Sequence, residues 1–302
     1  MTVIERIREL KTKKNAIILA HNYTPPEVQE VADFVGDSLG LSITAKSTPC
    51  DIIVFCGVHF MAETAKLLSP EKKVLVPDPE AGCPMADMLS LADLKNLKAR
   101  HPNARVLCYV NTHASVKAEC DLVCTSANAA QIVERGFSPD EEIIFVPDQY
   151  LARYVASRTG REFILFPGYC PVHVTITEAH ILEAKRRHPK ALVLAHPECR
   201  PEVLRHADAI LSTEGMCRYV RTSPSEEFII ATEVGIIPRM RKENPAKRFI
   251  PAFEGAICEN MKKNTLEKVL TSLEEEIHEV TLPEDIIQKG RQAIERMLVL
   301  SR

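Results

Sequence analysis

Cys83, Cys170 and Cys258 stand 87 and 88 positions apart (170−83 and 258−170) in a chain of 302 residues. A thiolate is a soft ligand, and three brought to one place favour an iron–sulfur centre or zinc over a hard cation. Each cysteine precedes a run of helical character, PMADMLSLADL, PVHVTITEAHI and ENMKKNTLEKVL. The positive end of a helix dipole there would favour a thiolate or an anionic cluster. None of the three has a CxxC partner, which argues against a zinc ribbon. With only three protein thiolates, a [4Fe–4S] cluster keeps one iron open to act as a Lewis acid. His173, three after Cys170, is a candidate donor beside such a centre.

Other polar residues keep the same step. The segments AIILAHNYTPPEVQEVADFVGDS from Ala16, VLCYVNTHASVKAECDLVCTS from Val106 and ALVLAHPECRPEVLRHADAILST from Ala191 share one pattern. In it His21, Tyr109 and His196 coincide, as do Tyr23, Asn111 and Glu198, and Ser38, Ser126 and Thr213. Self-similarity at a fixed period means one unit used repeatedly. A phenol, an amide and a carboxylate in equivalent places both donate to and accept from a polar ligand, and Tyr23 or Glu198 is suited to move protons. Ser38, Ser126 and Thr213 read as helix N-caps, and a helix N-terminus is also a carboxylate or phosphate site.

The elements that must carry these residues follow from hydrophobic patterning. Each unit opens with a short apolar run (16–20, 106–110, 191–195), followed by an amphipathic helix (about 26–35, 114–120 and 201–207), a second strand (51–56, 141–146, 226–231), a helix (60–68, 149–157, 234–242) and a third strand (73–77, 163–167, 248–252). Strands alternating with helices imply an α/β protein: three homologous three-layer αβα domains with small parallel sheets, arranged with pseudo-threefold symmetry around a central cavity. The basic, proline-containing segments 98–103 and 185–190 set the expected divisions at 1–101, 102–188 and 189–282, with a terminal amphipathic helix over 283–302 on an outer face.

A net charge of −3, from 38 basic and 41 acidic residues, offers no global attraction to nucleic acid or to an anionic membrane. The opening IERIRELKTKK lacks the apolar core of a signal peptide, and no apolar run approaches the roughly 20 residues that span a bilayer. The cytoplasm is the expected compartment. There, ten cysteines are not a disulfide framework, and the seven outside the periodic set read as small buried hydrophobes. Eleven glycines against 20 prolines fit a rigid chain.

Taken in order, AHNYTPPEVQEVADFVGDS, AGCPMADM, YVNTHASVKAECDLVCTSAN, GYCPVH, HPEC, STEGM and CENMKKNTLEKV closely resemble the quinolinate synthase family of NAD biosynthesis. The resemblance runs from about residue 17 to 270 and implies one [4Fe–4S] cluster per chain on Cys83, Cys170 and Cys258. It implies condensation of iminoaspartate with dihydroxyacetone phosphate to quinolinate, with loss of phosphate and two waters. The imine would be handed over by an L-aspartate-oxidising enzyme. The matching positions imply Tyr23, His196 and Glu198 as catalytic, and His21, Ser38, Tyr109, Asn111, Ser126, His173, His196, Glu198, Ser212, Thr213 and Arg218 as substrate-binding. Two departures stand out. Met261 and Asn264 replace the later cysteines of a CxxCxxC run, so no redox switch is expected there, and Arg218 stands where many relatives have lysine. The competing readings are another dehydratase with an open-iron cluster, an electron-transfer or cluster-carrier protein, and a zinc-stabilised scaffold.

Overall fold

The computed structural model describes residues 2–302. Twelve strands form three four-stranded sheets. The first holds β1 (Ala16–His21), β2 (Phe34–Gly36), β3 (Ile52–Cys56) and β4 (Lys73–Leu75). The second holds β5 (Arg105–Tyr109), β6 (Leu122–Cys124), β7 (Ile143–Val146) and β8 (Ile164–Leu165), and the third β9 (Leu192–Ala195), β10 (Ala209–Ile210), β11 (Glu227–Ala231) and β12 (Arg248–Pro251). In each the strand order is second, first, third, fourth, and every pairing is parallel. Helices on both faces bury the central strands, which is why β3 and β7 are apolar throughout rather than alternating. The α/β class and the three small parallel sheets are as the sequence implies.

Each sheet also has a strand that patterning missed. The expected helix over 26–35 stops at Val31, and Phe34–Gly36 pairs with β1; the same happens at β6 and β10. The cause is an aspartate repeated in register. Asp33 Oδ2 accepts from Ile18 N at 2.8 Å, Asp121 Oδ2 from Val106 N at 2.7 Å and Asp208 Oδ2 from Val193 N at 2.7 Å. Each aspartate N–H bonds back to the same strand residue's carbonyl. This two-way clasp satisfies strand groups that a continuing helix would leave bare.

Hydroxyl N-caps mark a further periodic element. Thr2, Ser90, Thr177 and Thr265 cap helices Val3–Lys13, Leu91–Arg100, Glu178–Arg187 and Leu266–Glu275. The helix Glu178–Arg187 packs on β11 and on the helix Pro201–Leu204, so it covers the sheet that follows it. The fourth copy, Leu266–Glu275, packs on Val3–Lys13 and β3 in the first unit. Residues 278–280 then pair antiparallel with the edge of the first sheet, through Val76 N to His278 O at 3.0 Å and Val280 N to Val74 O at 2.8 Å. The three units therefore close into a ring.

The terminal helix Glu284–Leu300 does not lie on an outer face of one unit. It spans the helix His59–Leu68 of the first and β6 with helices Ala114–Lys117 and Ala129–Gly136 of the second. It buries Ile287, Ala293, Ile294 and Met297. Burying an isoleucine or methionine contributes about 1.5–3 kcal/mol. A Cβ at Gly290 would stand 3.0 Å from the Leu67 methyls, so glycine sets this close approach.

Candidate active site

The carboxyl ends of the three sheets face one cavity of about 250 Å³, and Cys83, Cys170 and Cys258 all line it. None forms a disulfide. Cys83 and Cys258 are the residues before single-turn helices, Pro84–Asp87 and Glu259–Lys262, and Cys170 shortly precedes the turn His173–Thr175. The expected longer helices are broken after one turn, where a new N-cap takes over at Ser90, Thr177 and Thr265. Burial pushes the Cys83 thiol up to about 12 and raises Cys170 and Cys258 as well. Backbone N–H groups of Ala86 and Met85, of His173, and of Met261 and Asn260 oppose that rise at the respective sulfurs. Three half-buried thiols met by backbone donors, with Cys83 and Cys170 raised in part by the neighbouring cysteines, fit a shared soft, cationic centre.

On the same cavity wall the histidines share one geometry. Nδ1 of His21 accepts from Tyr23 N at 3.2 Å, and Nδ1 of His196 accepts from Glu198 N at 3.3 Å. Each ring thus carries its proton on Nε2. In His196 that nitrogen lies 3.2 Å from Ser126 Oγ. Burial pulls both imidazoles down to about 3, against the pull of Glu198, so they are neutral donors at neutral pH.

Glu198 is almost fully buried and is the hub. Its Oε1 accepts from the Tyr109 hydroxyl, and its Oε2 lies 2.8 Å from His173 Nδ1, close but without hydrogen-bond alignment. Burial pushes this carboxyl up, but His173, His196 and the Tyr109 hydroxyl outweigh it, so the group titrates below the usual glutamate range. His173 Nε2 continues to Thr232 Oγ1 at 2.8 Å, and Thr232 Oγ1 to the Tyr23 hydroxyl at 2.6 Å. Burial raises both tyrosines well above 10.0, so both are phenols. Hydrogen bonds therefore join Tyr23 through Thr232 to His173, and Tyr109 to Glu198, with the 2.8 Å His173–Glu198 contact between the two runs.

Cys170, His173 and Glu198 have ligand atoms within 4.8 Å of one another. Cys170 is common to this group and to the three cavity-lining cysteines, so His173 and Glu198 stand beside the thiol set.

Ser38, Asn111, Ser126 and Thr213 also line the cavity, and Asn111 Oδ1 is buried with no partner. Ser38 and Thr213 are not N-caps. The caps of helices Ser38–Ser47 and Thr213–Thr222 are Asp37 and Ser212, and Asn128 precedes Ala129–Gly136. Ser212 Oγ donates to Asp37 Oδ2 at 3.0 Å, tying the two caps together, and does not line the cavity. Arg218 is exposed and outside the lining.

Sequence patterning missed Thr232, Glu233 and Asn22. Thr232 follows β11 where Gly57 and Pro147 follow β3 and β7, so no period reveals it. Glu233, fully buried, accepts from Cys258 N at 3.1 Å and Gly235 N at 2.7 Å and pairs with Lys262.

The family model for Quinolinate synthetase A protein matches residues 5–299. A quinolinate synthase of Dehalococcoides mccartyi is 53% identical over 296 residues, covering 98% of this chain and 97% of its own length. One of Methanosarcina barkeri is 51% identical over 298 residues, covering 99% and 97%, and one of Pyrobaculum aerophilum 52% over 301 residues, covering 97% and 98%. The chain belongs to the quinolinate synthetase A protein family.

Proposed function

We propose that this enzyme is a quinolinate synthase of NAD biosynthesis, which condenses iminoaspartate with dihydroxyacetone phosphate to quinolinate, phosphate and two waters. The observation that carries the reading is that one cysteine from each of three sheets lines the cavity that holds Tyr23, His173 and Glu198. The overall reaction needs no oxidant or reductant: the atoms of the two substrates equal those of the four product molecules. What it needs is removal and delivery of protons at carbon and oxygen, and tight retention of dianions.

Cys83, Cys170 and Cys258 would hold one [4Fe–4S] cluster per chain. When bound, that cluster supplies a Lewis acid that polarises a substrate carboxylate, nitrogen or leaving hydroxyl. The chain's own groups do the rest. Glu198, kept ionised by its neighbours, takes a proton from the condensing carbon, and Tyr109 and His173 steady the charge that shifts on its oxygens. Tyr23, a neutral phenol, delivers a proton to a departing hydroxyl and is reloaded through Thr232 and His173. His21 and His196 donate from Nε2 to substrate oxygens, with Asn111, Ser38, Ser126 and Thr213 completing the carboxylate and phosphate contacts. Burial of these donors in a nearly neutral protein gives the affinity for a dianion that net charge does not.

The imine is short-lived in water, so we assign its supply to an L-aspartate-oxidising enzyme, with all partners in the cytoplasm and neither nucleic acid nor membrane involved. No helix among the described residues is long and apolar enough to cross a membrane. The units 1–101, 102–188 and 189–282, with the helix 283–302, are the proposed domains. The deciding experiment is an anaerobic assay for quinolinate from the two substrates, with metal analysis of the same preparation. Quinolinate formation with four irons and four sulfides per chain supports the proposal; stoichiometric zinc and no quinolinate end it.

A further inference from the structure

Asn22 lies between His21 and Tyr23, is fully buried, and does not line the cavity. Its side chain joins two units. Arg239 Nη1, on the helix Ile236–Glu243, donates to Asn22 Oδ1 at 2.6 Å, and Asn22 Nδ2 donates to Thr213 Oγ1 at 2.9 Å. Arg239 is itself fixed by Glu214 at 2.9 Å and by Glu243 at 2.7 Å.

The direction of this chain is set by chemistry. A guanidinium has donors only, so the atom of Asn22 that meets it is the carbonyl oxygen. The other end of the amide is then an NH₂ group, which accepts nothing. The Thr213 hydroxyl must accept from it, and its own hydrogen has to point elsewhere. No other hydrogen-bond partner of Thr213 Oγ1 is present among the described residues, and Thr213 lines the cavity. Thr213 also occupies the first position of a ten-residue helix, where unpaired backbone N–H groups gather.

We infer that Asn22 and Arg239 are positioning residues that hold the Thr213 hydroxyl as an obligate donor to an anionic group, carboxylate or phosphate, of the bound substrate. Three donor steps run in one direction, from the Arg239 cation through Asn22 and Thr213 to the ligand. The inference deepens the proposed function, taking from it only which anion is bound.

The test is Asn22→Asp. A carboxylate accepts from both sides, so it still pairs with Arg239 but turns the Thr213 hydrogen away from the cavity. Expected is a rise in KM for dihydroxyacetone phosphate or iminoaspartate of about tenfold or more, with kcat changed by less than about threefold and iron content unchanged. Thr213→Val should show a similar rise. In the double variant Asn22→Asp/Thr213→Val the two effects should not add, because the first acts only through the hydroxyl. Arg239→Lys, which keeps a cationic donor, should retain most of the affinity that Arg239→Met loses.

A second readout, calorimetric titration of inorganic phosphate and of quinolinate onto the iron-loaded proteins, is independent of turnover. Unchanged KM and unchanged anion binding in Asn22→Asp overturn the inference, and so does an equal Asn22→Asp penalty with and without Thr213. If the wild type makes no quinolinate but Asn22→Asp still weakens anion binding, the proposed reaction falls and the relay stands.

Discussion

Tyr23, carried by the first sheet, places its hydroxyl 2.6 Å from Thr232 Oγ1 at the end of the third, and Thr232 in turn lies 2.8 Å from His173 Nε2 of the second unit. One small hydroxyl therefore joins the phenol to the His173–Glu198 pair. Thr232→Val keeps the shape and deletes the joint. It should lower kcat by about 100-fold, the lower end of what a positioned proton transfer contributes. Steady-state kinetics beside an iron assay would check this, and an unchanged kcat would remove Thr232 from the relay.

The cysteines divide by position. Cys258→Ala should abolish both iron retention and turnover, since Cys258 lines the cavity. Cys56 is fully buried at the end of β3 in the core beside Ile18 and Val54. Cys56→Ala should keep the metal and most activity and cost about 1 kcal/mol of stability. Iron and sulfide content of the two purified variants distinguishes them.

Acid should destabilise the protein in two steps. His21 and His196 titrate at about 3 in the fold against 6.5 in an open chain. Below 6.5 the unfolded chain binds protons that the native one does not, so stability is full above that value and falls as pH drops toward 3. Glu198, whose titration is lowered from 4.5, adds its loss only below that value. By pH ~5 each histidine should cost roughly 2 kcal/mol. Thermal melts from neutral pH to pH ~5 should show a slope that shrinks in His21→Gln; a wild-type melting temperature flat over this range contradicts the buried neutral assignment.

The aspartate clasps are structural. Asp121→Ala removes the acceptor of Val106 N and should cost about 1–2 kcal/mol while leaving KM unchanged. Urea unfolding with parallel kinetics reads both.

Much of this site was legible because duplication writes the same residue three times. The cysteines, His21 with His196, and Tyr23 with Glu198 stood out by period, and the central strands by their unbroken apolar runs. What stayed hidden fell into two kinds. Asp33, Asp121 and Asp208 are periodic, but an acid after a helical stretch looks like a solvated charge until a strand N–H is seen beside it. Thr232, Asn22 and Glu233 occur once, the first two acting between units and Glu233 within the third, so no repeat announces them. The serine and threonine of the anion-facing helices were misplaced by one residue, since Asp37 and Ser212 satisfy the free N–H groups and leave Ser38 and Thr213 facing inward.

The chain leaving Cys258 passes through the helix Leu266–Glu275 and then hydrogen-bonds along β4, whose continuation leads to Cys83. Two sulfur-bearing turns, far apart in sequence, are thereby yoked by a single stretch of backbone. Slack at either one would be transmitted to the other, so the cavity wall they share is drawn in as by a drawstring instead of by independent fingers.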